Sequence, residues 1–213
     1  MVEKFTKHIF VVTIVIMLVV FVTGILVGKN IGSSTEDNIY KSMRSNELNA
    51  ESFLIEQELF KNLDKNSCNL IRTRLEDLSS ELAATGRSLV APMAKEKLGK
   101  ENFMLTKRKY HLMQVRAYML FGKLQETCKI SSNVLLFYYG ANDTGSKEQG
   151  RVLDAVVARY DASVFAVEFN YSKDLNFLEQ YYGVNETPFT VVNYHYRHAG
   201  LTNYSRIVED LGQ

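Results

Sequence analysis

The longest hydrophobic segment of the chain lies near its N-terminus, at residues 9–27, where only Thr13, Thr23 and Gly24 interrupt the aliphatic run and no residue is charged. At about 1.5 Å per residue, a helix of this length nearly crosses a hydrocarbon layer of roughly 30 Å. No small-residue cleavage site of the kind that ends a signal peptide follows the segment. The pattern predicts an uncleaved signal-anchor, with a transmembrane helix at residues 9–28 in the lipid bilayer and an N-terminus at residues 1–8.

Charges on either side of this segment predict its orientation. Lys4 and Lys7 precede the segment, whereas Lys29 follows it and is succeeded by Glu36 and Asp37. Positive charge near a membrane span is retained on the cytoplasmic side. We therefore expect a single-pass protein of the plasma membrane or an equivalent membrane, with a cytoplasmic N-terminus and the C-terminal domain outside.

Residues 35–129 have the composition and periodicity of helices. Two hydrophobic stripes within them repeat in alternating steps of three and four residues, as in helices that pack on one another in a coiled coil. Gly86, Pro92 and Gly99 interrupt the pattern between the stripes, so we expect a helical stalk that ends in an antiparallel hairpin. The first stripe comprises Cys68, Ile71, Leu75, Leu78 and Leu82, and the second comprises Tyr110, Met113, Ala117, Leu120 and Leu124.

The chain has two cysteines, and Cys68 and Cys128 lie at the outer ends of the two predicted hairpin helices. An antiparallel hairpin makes these ends neighbours. A disulfide that closes a loop of about 60 residues is the favoured interpretation for a domain outside the cytoplasm. Two buried free thiols and a redox-active pair are the alternatives. No Cys-X-X-Cys or Cys/His spacing occurs, so the sequence predicts no metal site.

After residue 130 the pattern changes to short apolar runs that alternate with helical segments. Strands separated by helices of this length form parallel βαβ units, and a closing hairpin makes the sheet mixed. The sequence therefore predicts a combination of the α/β and α+β classes. The predicted strands are residues 133–140, 164–169, 189–193 and a further stretch to 198, and the predicted helices are residues 147–160, 175–182 and 204–211.

This order of elements, βαβαββα, has Thr187 and Pro188 directly ahead of the closing hairpin. It resembles the thioredoxin fold over residues 132–213. The resemblance implies that Pro188 is cis and faces the active site of the domain. It also implies that Thr187 offers its backbone to an extended peptide, which makes the pair a candidate peptide-binding site.

The family's Cys-X-X-Cys motif falls on Asp143, Thr144, Gly145 and Ser146 of this chain, and neither cysteine position is a cysteine. A serine hydroxyl cannot form the mixed disulfide on which thiol exchange depends. The resemblance therefore implies a degenerate, redox-inactive active site. Asp143 and Thr144 have a second interpretation as the N-cap of the following helix.

Four Asn-X-Ser/Thr matches occur in the C-terminal part, where composition alone gives about two. Pro188 directly follows the match that starts at Asn185 and makes it a poor glycosylation acceptor. The remaining candidate acceptors are Asn142, Asn170 and Asn203. Their use would fit an exported domain.

Charge and motifs narrow the classes of function. The net charge is +1, and the region of residues 64–129 is the basic one, with 13 Lys or Arg against 7 Asp or Glu. We expect no nucleic-acid partner and no cofactor, and we find no catalytic constellation. The leading hypothesis is a membrane-anchored, redox-inactive thioredoxin-like module that binds proteins during folding or assembly outside the cytoplasm. The alternatives are disulfide exchange through Cys68 and Cys128, and a structural subunit of a membrane complex.

Overall fold

The computed structural model describes residues 13–14, 16–25 and 68–212. The chain divides into two compact units, Met1–Asn62 and Leu63–Gln213. In the first unit the described residues are helical, and their large apolar side chains are exposed. The Thr23 hydroxyl donates to the carbonyl oxygen of Val19 at 2.9 Å within this helix.

The predicted transmembrane helix is wrong. Across residues 13–14, 16–25 and 68–212, no helix is both long enough and apolar enough to cross a membrane. The predicted fold class included a membrane-spanning helix at residues 9–28 and is wrong in that element. The membrane and signal-anchor assignments are wrong for the same reason. Residues 1–12, 15 and 26–67, on which the rest of these predictions fall, lie outside the described residues.

The second unit begins with a helical hairpin. Helix α1 spans Cys68–Val90, the short helix α2 spans Ala94–Leu98, and helix α3 spans Lys100–Cys128. Packing between α1 and α3 buries most of the two hydrophobic stripes, because steps of three and four residues keep side chains on one helix face. The fully buried members are Ile71, Leu75 and Leu78 on α1 and Met113, Ala117, Leu120 and Leu124 on α3.

A four-stranded mixed sheet follows the hairpin, in the order β2-β1-β3-β4. Strands β1 and β2 are parallel, whereas β3 pairs antiparallel with both β1 and β4. The elements are β1 Asn133–Tyr139, helix α4 Thr144–Val157, β2 Ala162–Glu168, a 3-10 helix Lys173–Leu175, helix α5 Asn176–Tyr182, β3 Phe189–Val192, β4 Tyr196–Ala199 and helix α6 Tyr204–Asp210.

The sheet is covered on both faces, so its central strand β1 is buried over residues 134–138. On one face, Leu135 and Phe137 form an apolar core with residues of α4 and α6, among them Leu153 and Ile207. Alternation along β1 turns Leu136 and Tyr138 to the other face. There, Phe121 of α3 packs on Phe165 of β2, with ring centroids 5.6 Å apart. The hairpin therefore lies against the sheet.

The turn between β3 and β4 depends on contacts with α3. Asn193 and Tyr194 both have positive φ, 48° and 66°, as a tight hairpin turn of the type I′ class requires. The Tyr194 hydroxyl donates to the carbonyl oxygen of Tyr118 at 2.8 Å. A Cβ on Gly122 would lie 3.2 Å from the Tyr194 ring, so a glycine at this position lets the two segments approach.

Candidate functional site at the carboxyl end of strand β1

The loop after β1 carries the four residues that the sequence singled out. Asp143 is the N-cap of α4: its two carboxylate oxygens accept hydrogen bonds from the backbone N–H groups of Gly145 and Ser146, each at 3.0 Å. An aspartate in this position satisfies N–H groups that the first turn of a helix leaves unpaired. The helix consequently begins at Thr144, three residues before the predicted start.

Ser146 stands at the second of the two positions that the sequence analysis compared with cysteines, and it is bonded to Asp143 at the first. Its hydroxyl donates to Asp143 Oδ2 at 2.5 Å and accepts from the backbone N–H of Gly140 at 3.0 Å. Only 5% of the residue is exposed. The hydroxyl proton and one lone pair are therefore engaged within the loop, so the serine is poorly placed to act as a nucleophile.

The hydrogen bond from Ser146 is the largest cause of a lowered pKa at Asp143. Desolvation, the second-largest effect, opposes this shift, whereas the backbone N–H groups of Gly145 and Ser146 and the side chain of Thr187 lower the pKa further. Each of these groups donates to the charged carboxylate and stabilises it. Asp143 is therefore an ionised hydrogen-bond acceptor at neutral pH.

The Thr187–Pro188 segment lies directly against this loop. The peptide bond between the two residues is cis, and Pro188 is buried. A Cβ added to Gly140 would lie 2.9 Å from Thr187 Oγ1, and one added to Gly145 would lie 3.2 Å from Pro188 Cδ. The two segments thus meet where neither glycine has room for a side chain, and together they form one site.

Thr187 has an unpaired backbone. Across the part of the chain that the structure describes, neither its N–H nor its carbonyl oxygen makes a hydrogen bond. Sheet pairing starts one residue later, where the Pro188 carbonyl oxygen accepts from the Gly200 N–H at 2.8 Å. The residue is half-buried, and its donor and acceptor lie beside the loop, where the pairing of the sheet ends.

Cys68 and Cys128 form a disulfide between the start of α1 and the end of α3, with Cα atoms 5.8 Å apart. The sequence has no other cysteine. The bond fastens the open end of the hairpin. Gln125, one turn before Cys128, donates through Nε2 to the carbonyl oxygen of Ser132 and so joins this end to the start of β1.

The three candidate glycosylation acceptors are exposed. Asn203 also caps α6, where its side-chain oxygen accepts from the Arg206 N–H at 2.9 Å. Asn170 has a positive φ of 55°, and its N–H donates to Glu179 at 2.9 Å. Within the described residues, no three His, Cys, Asp or Glu side chains form a cluster that could hold a metal ion.

Sequence reasoning missed a buried histidine near the same end of the sheet. His111 of α3 is 1% exposed, and its ring lies 5.0 Å from that of Tyr171, centroid to centroid. Neither ring nitrogen reaches a partner with hydrogen-bond geometry among the described residues. Nearby, Lys107 pairs with Glu168 at the end of β2. In the sequence, His111 was marked only by its position next to Tyr110 of the second stripe. That position did not indicate that His111 is buried against the sheet.

Burial is the main cause of a lowered His111 pKa, at about 4. The positive charge of Lys107 lowers this pKa as well, and the backbone of Ala166 offsets the effect in part. The imidazole is therefore neutral at pH 7.

No protein-family model matches this sequence, and no curated protein is detectably similar to it. Functional assignment therefore depends on the residues themselves.

Proposed function

We propose that residues 133–212 form a thioredoxin-like domain without thiols, which binds an extended peptide segment of a partner protein at Thr187. The element order βαβαββα, the strand order β2-β1-β3-β4 and the position of Thr187–Pro188 ahead of β3 support this proposal. A shared fold does not itself specify an activity. The functional part of the proposal therefore depends on the geometry of the loop.

Asp143 and Ser146 support a binding role over thiol exchange. The hydrogen bond of 2.5 Å between their side chains links the two positions that cysteines would occupy. Neither side chain can form a mixed disulfide. The pair instead holds the loop at the start of α4 in a single conformation, which lowers the entropic cost of binding a ligand there.

The observation that carries the proposal is the unpaired backbone of Thr187. An extended peptide that ran alongside this residue would accept a hydrogen bond from its N–H and donate one to its carbonyl oxygen, as in other cases where a strand is added to an exposed edge. Peptide backbone supplies both groups whatever its sequence. Side chains near Asp143 would then select the peptide, and the negative charge of Asp143 favours a basic residue.

The disulfide supports a location in an oxidising compartment. Disulfides persist outside the cytoplasm and are rare inside it. A binding module with this bond would serve partners in that compartment, during their folding or assembly.

Photo-crosslinking tests the site directly. A photoreactive residue replaces Thr144, which is exposed in the loop, and a control variant carries it at Arg151, exposed further along the same helix. Peptides selected from a random library on the full-length protein are then irradiated with each variant. We expect crosslinks from position 144 and few or none from position 151.

Amide exchange supplies an independent measurement. Binding of a selected peptide should slow exchange of the Thr187 N–H, while that of Glu186, its exposed neighbour, changes little. If the library yields no binder, or if binders crosslink equally at both positions, peptide binding at Thr187 is contradicted.

A further inference from the structure

Helix α3 carries a second line of apolar residues, which the hairpin and the sheet leave uncovered. Leu105, Leu112 and Met119 are spaced seven residues apart, so they lie on one face of the helix. They are 48%, 38% and 40% exposed. We call these three residues the outer stripe. It differs from the stripe of Met113 and Leu120, which is buried in the hairpin.

The outer stripe is long enough for a partner helix. From Leu105 to Met119 the helix rises about 21 Å, close to four turns. Three apolar residues at heptad spacing form half of a coiled-coil seam. Isolated exposed apolar residues are common on protein surfaces, but a line of three along one helix face indicates a contact surface.

Charges around the outer stripe indicate the chemistry of the partner. Arg108, Lys109 and Lys123 lie within three or four residues of stripe positions and therefore on neighbouring parts of the helix surface. Over residues 68–129 the chain has 12 Lys or Arg and 6 Asp or Glu, a net charge of +6. This excess of positive charge favours a partner with acidic side chains on either side of its apolar face.

These basic side chains already form ion pairs within the chain. Lys109 lies 2.7 Å from Glu81, and their side chains are 57% and 49% exposed. Arg108 pairs with Asp174, also at the surface, and Lys123 Nζ lies 3.3 Å from Glu126 Oε2. Exposed pairs contribute little to stability, so acidic groups of a partner can replace one member or join the pair as a network.

We propose that the outer stripe binds an acidic amphipathic helix of another protein. A second copy of this chain would bring one basic helix face against another, which like-charge repulsion disfavours. The surface lies on α3, and the proposal is independent of peptide binding at Thr187.

The test uses the full-length, disulfide-bonded protein and a designed helical peptide of about three heptads, with leucine at the a and d positions and glutamate at e and g. Fluorescence anisotropy measures its affinity. We expect Leu112→Glu to weaken binding at least about tenfold, since it adds an acidic, polar group to the centre of the contact. Val157→Glu, on α4, is the matched control because Val157 is 42% exposed, and it should leave affinity unchanged.

A peptide with lysine in place of glutamate should bind at least about tenfold more weakly than the acidic peptide. Equal affinity of the two peptides, or of the native protein and Leu112→Glu, would overturn the proposal. Circular dichroism of both variants confirms that they are folded.

If the outer stripe bound a second copy of the chain or a lipid surface instead, the measurements would give different results. Concentration-dependent dimerisation in analytical ultracentrifugation that Leu112→Glu abolishes would assign the outer stripe to a second copy and overturn the proposal. Binding to anionic phospholipid vesicles that Leu112→Glu abolishes, without binding to the acidic peptide, would assign it to a lipid surface and also overturn it.

Discussion

The two faces of the sheet bury different groups. The face under α4 and α6 has an apolar cluster at its centre, with Leu135, Leu153 and Ile207. The face under the hairpin buries Tyr118, Tyr138 and His111, whose rings carry polar atoms. Area removed from water stabilises both faces. On the hairpin face, the protonation of a buried imidazole matters as well, because a buried charged group without a partner is destabilising.

Hydrogen bonding is incomplete on both faces. Tyr118 and Tyr182 share a hydrogen bond of 2.5 Å between their hydroxyl groups, whereas the hydroxyl of Tyr138 has no partner within the described residues. On the other face, Gln149 Nε2 and Thr190 Oγ1 have no partner there either. Burial raises the pKa of Tyr118 and of Tyr138, so both stay neutral. Because it also contains the buried histidine and is fastened by the disulfide, the hairpin face should be the more sensitive of the two to pH and to loss of the disulfide.

The largest effect should come from the disulfide, which fastens the two helices of the hairpin that covers one face of the sheet. In the loop-entropy model, a bond between residues 60 apart in sequence contributes about 4 kcal/mol. We expect Cys68→Ser with Cys128→Ser to lower the free energy of unfolding in urea by about that amount. Hydrogen exchange should show α1 and α3 opening before α4. If α4 opened together with α1 and α3, the hairpin face would not be the more sensitive of the two.

Redox titration of the native protein separates a structural disulfide from an exchanging one. A reduction potential in the range of structural bonds would agree with the fastening role. Ready reversible reduction by a thiol–disulfide buffer would instead favour the disulfide-exchange alternative.

Acidification should destabilise the hairpin face through His111. The folded-state pKa of about 4 lies below the ordinary value of 6.5, so the unfolded chain binds the proton more tightly between these values. The stability that the neutral imidazole confers is complete above pH 6.5 and is lost as the pH falls towards 4. With about 1.4 kcal/mol per pKa unit, the whole loss is about 3 kcal/mol.

Urea unfolding at a series of pH values measures this loss. The variant His111→Gln should flatten the profile between pH 6.5 and 4, because glutamine does not titrate. Lys107 and Glu168 also face this site, so Lys107→Met made in the His111→Gln protein is the control for their contribution. An unchanged profile in His111→Gln would show that other groups cause the acid sensitivity.

A single hydroxyl tests the hydrogen bonding on the same face. Tyr118→Phe removes one partner of the Tyr118–Tyr182 bond and leaves the Tyr182 hydroxyl buried without it. We expect a loss of roughly 2 kcal/mol in the free energy of unfolding. Tyr196→Phe is the matched control, since Tyr196 is 48% exposed and should tolerate the change. If the two substitutions had equal effects, the buried hydrogen bond between Tyr118 and Tyr182 would not contribute to stability as proposed.

The smallest effect should come from the N-cap of α6, on the face of the sheet that α4 and α6 cover. Asn203→Ala removes the side-chain bond to the Arg206 N–H, for about 1 kcal/mol of stability. Thermal unfolding measures it, and Asn203→Asp, which keeps the capping oxygen, should restore most of the loss. A larger loss than in Tyr118→Phe would reverse the order of sensitivity of the two faces.

Much of the local structure of the second unit could be predicted from sequence periodicity. The predicted strand at residues 133–140 corresponds to β1, Asn133–Tyr139, and the predicted helix at residues 204–211 to α6, Tyr204–Asp210. The two stripes of the hairpin were also visible as repeats of three and four. Periodicity succeeds here because each element buries one face or the whole of its length.

The membrane prediction failed because it depended only on the composition and length of a hydrophobic segment, and these do not establish that the segment forms a membrane-spanning helix.

The thioredoxin-like assignment and the peptide site stay predictions, since neither the sequence nor its comparison with other proteins tests them. Loop residues show the same limit. Asp143 was predicted as a cap from its place before a helix, but its bond with Ser146 depends on how the first turn brings the two side chains together.

The sequence by itself determined where helices and strands form in residues 68–212 and placed the two cysteines at the ends of paired helices, because these depend on local spacing. Tertiary structure alone decided that α3 packs on the sheet, which buries His111 and leaves Leu105, Leu112 and Met119 exposed. It also decided that the left-handed Tyr194 is held by Tyr118. The physical reason is that one helix has several faces, and only the arrangement of its neighbours determines which of them lose contact with water.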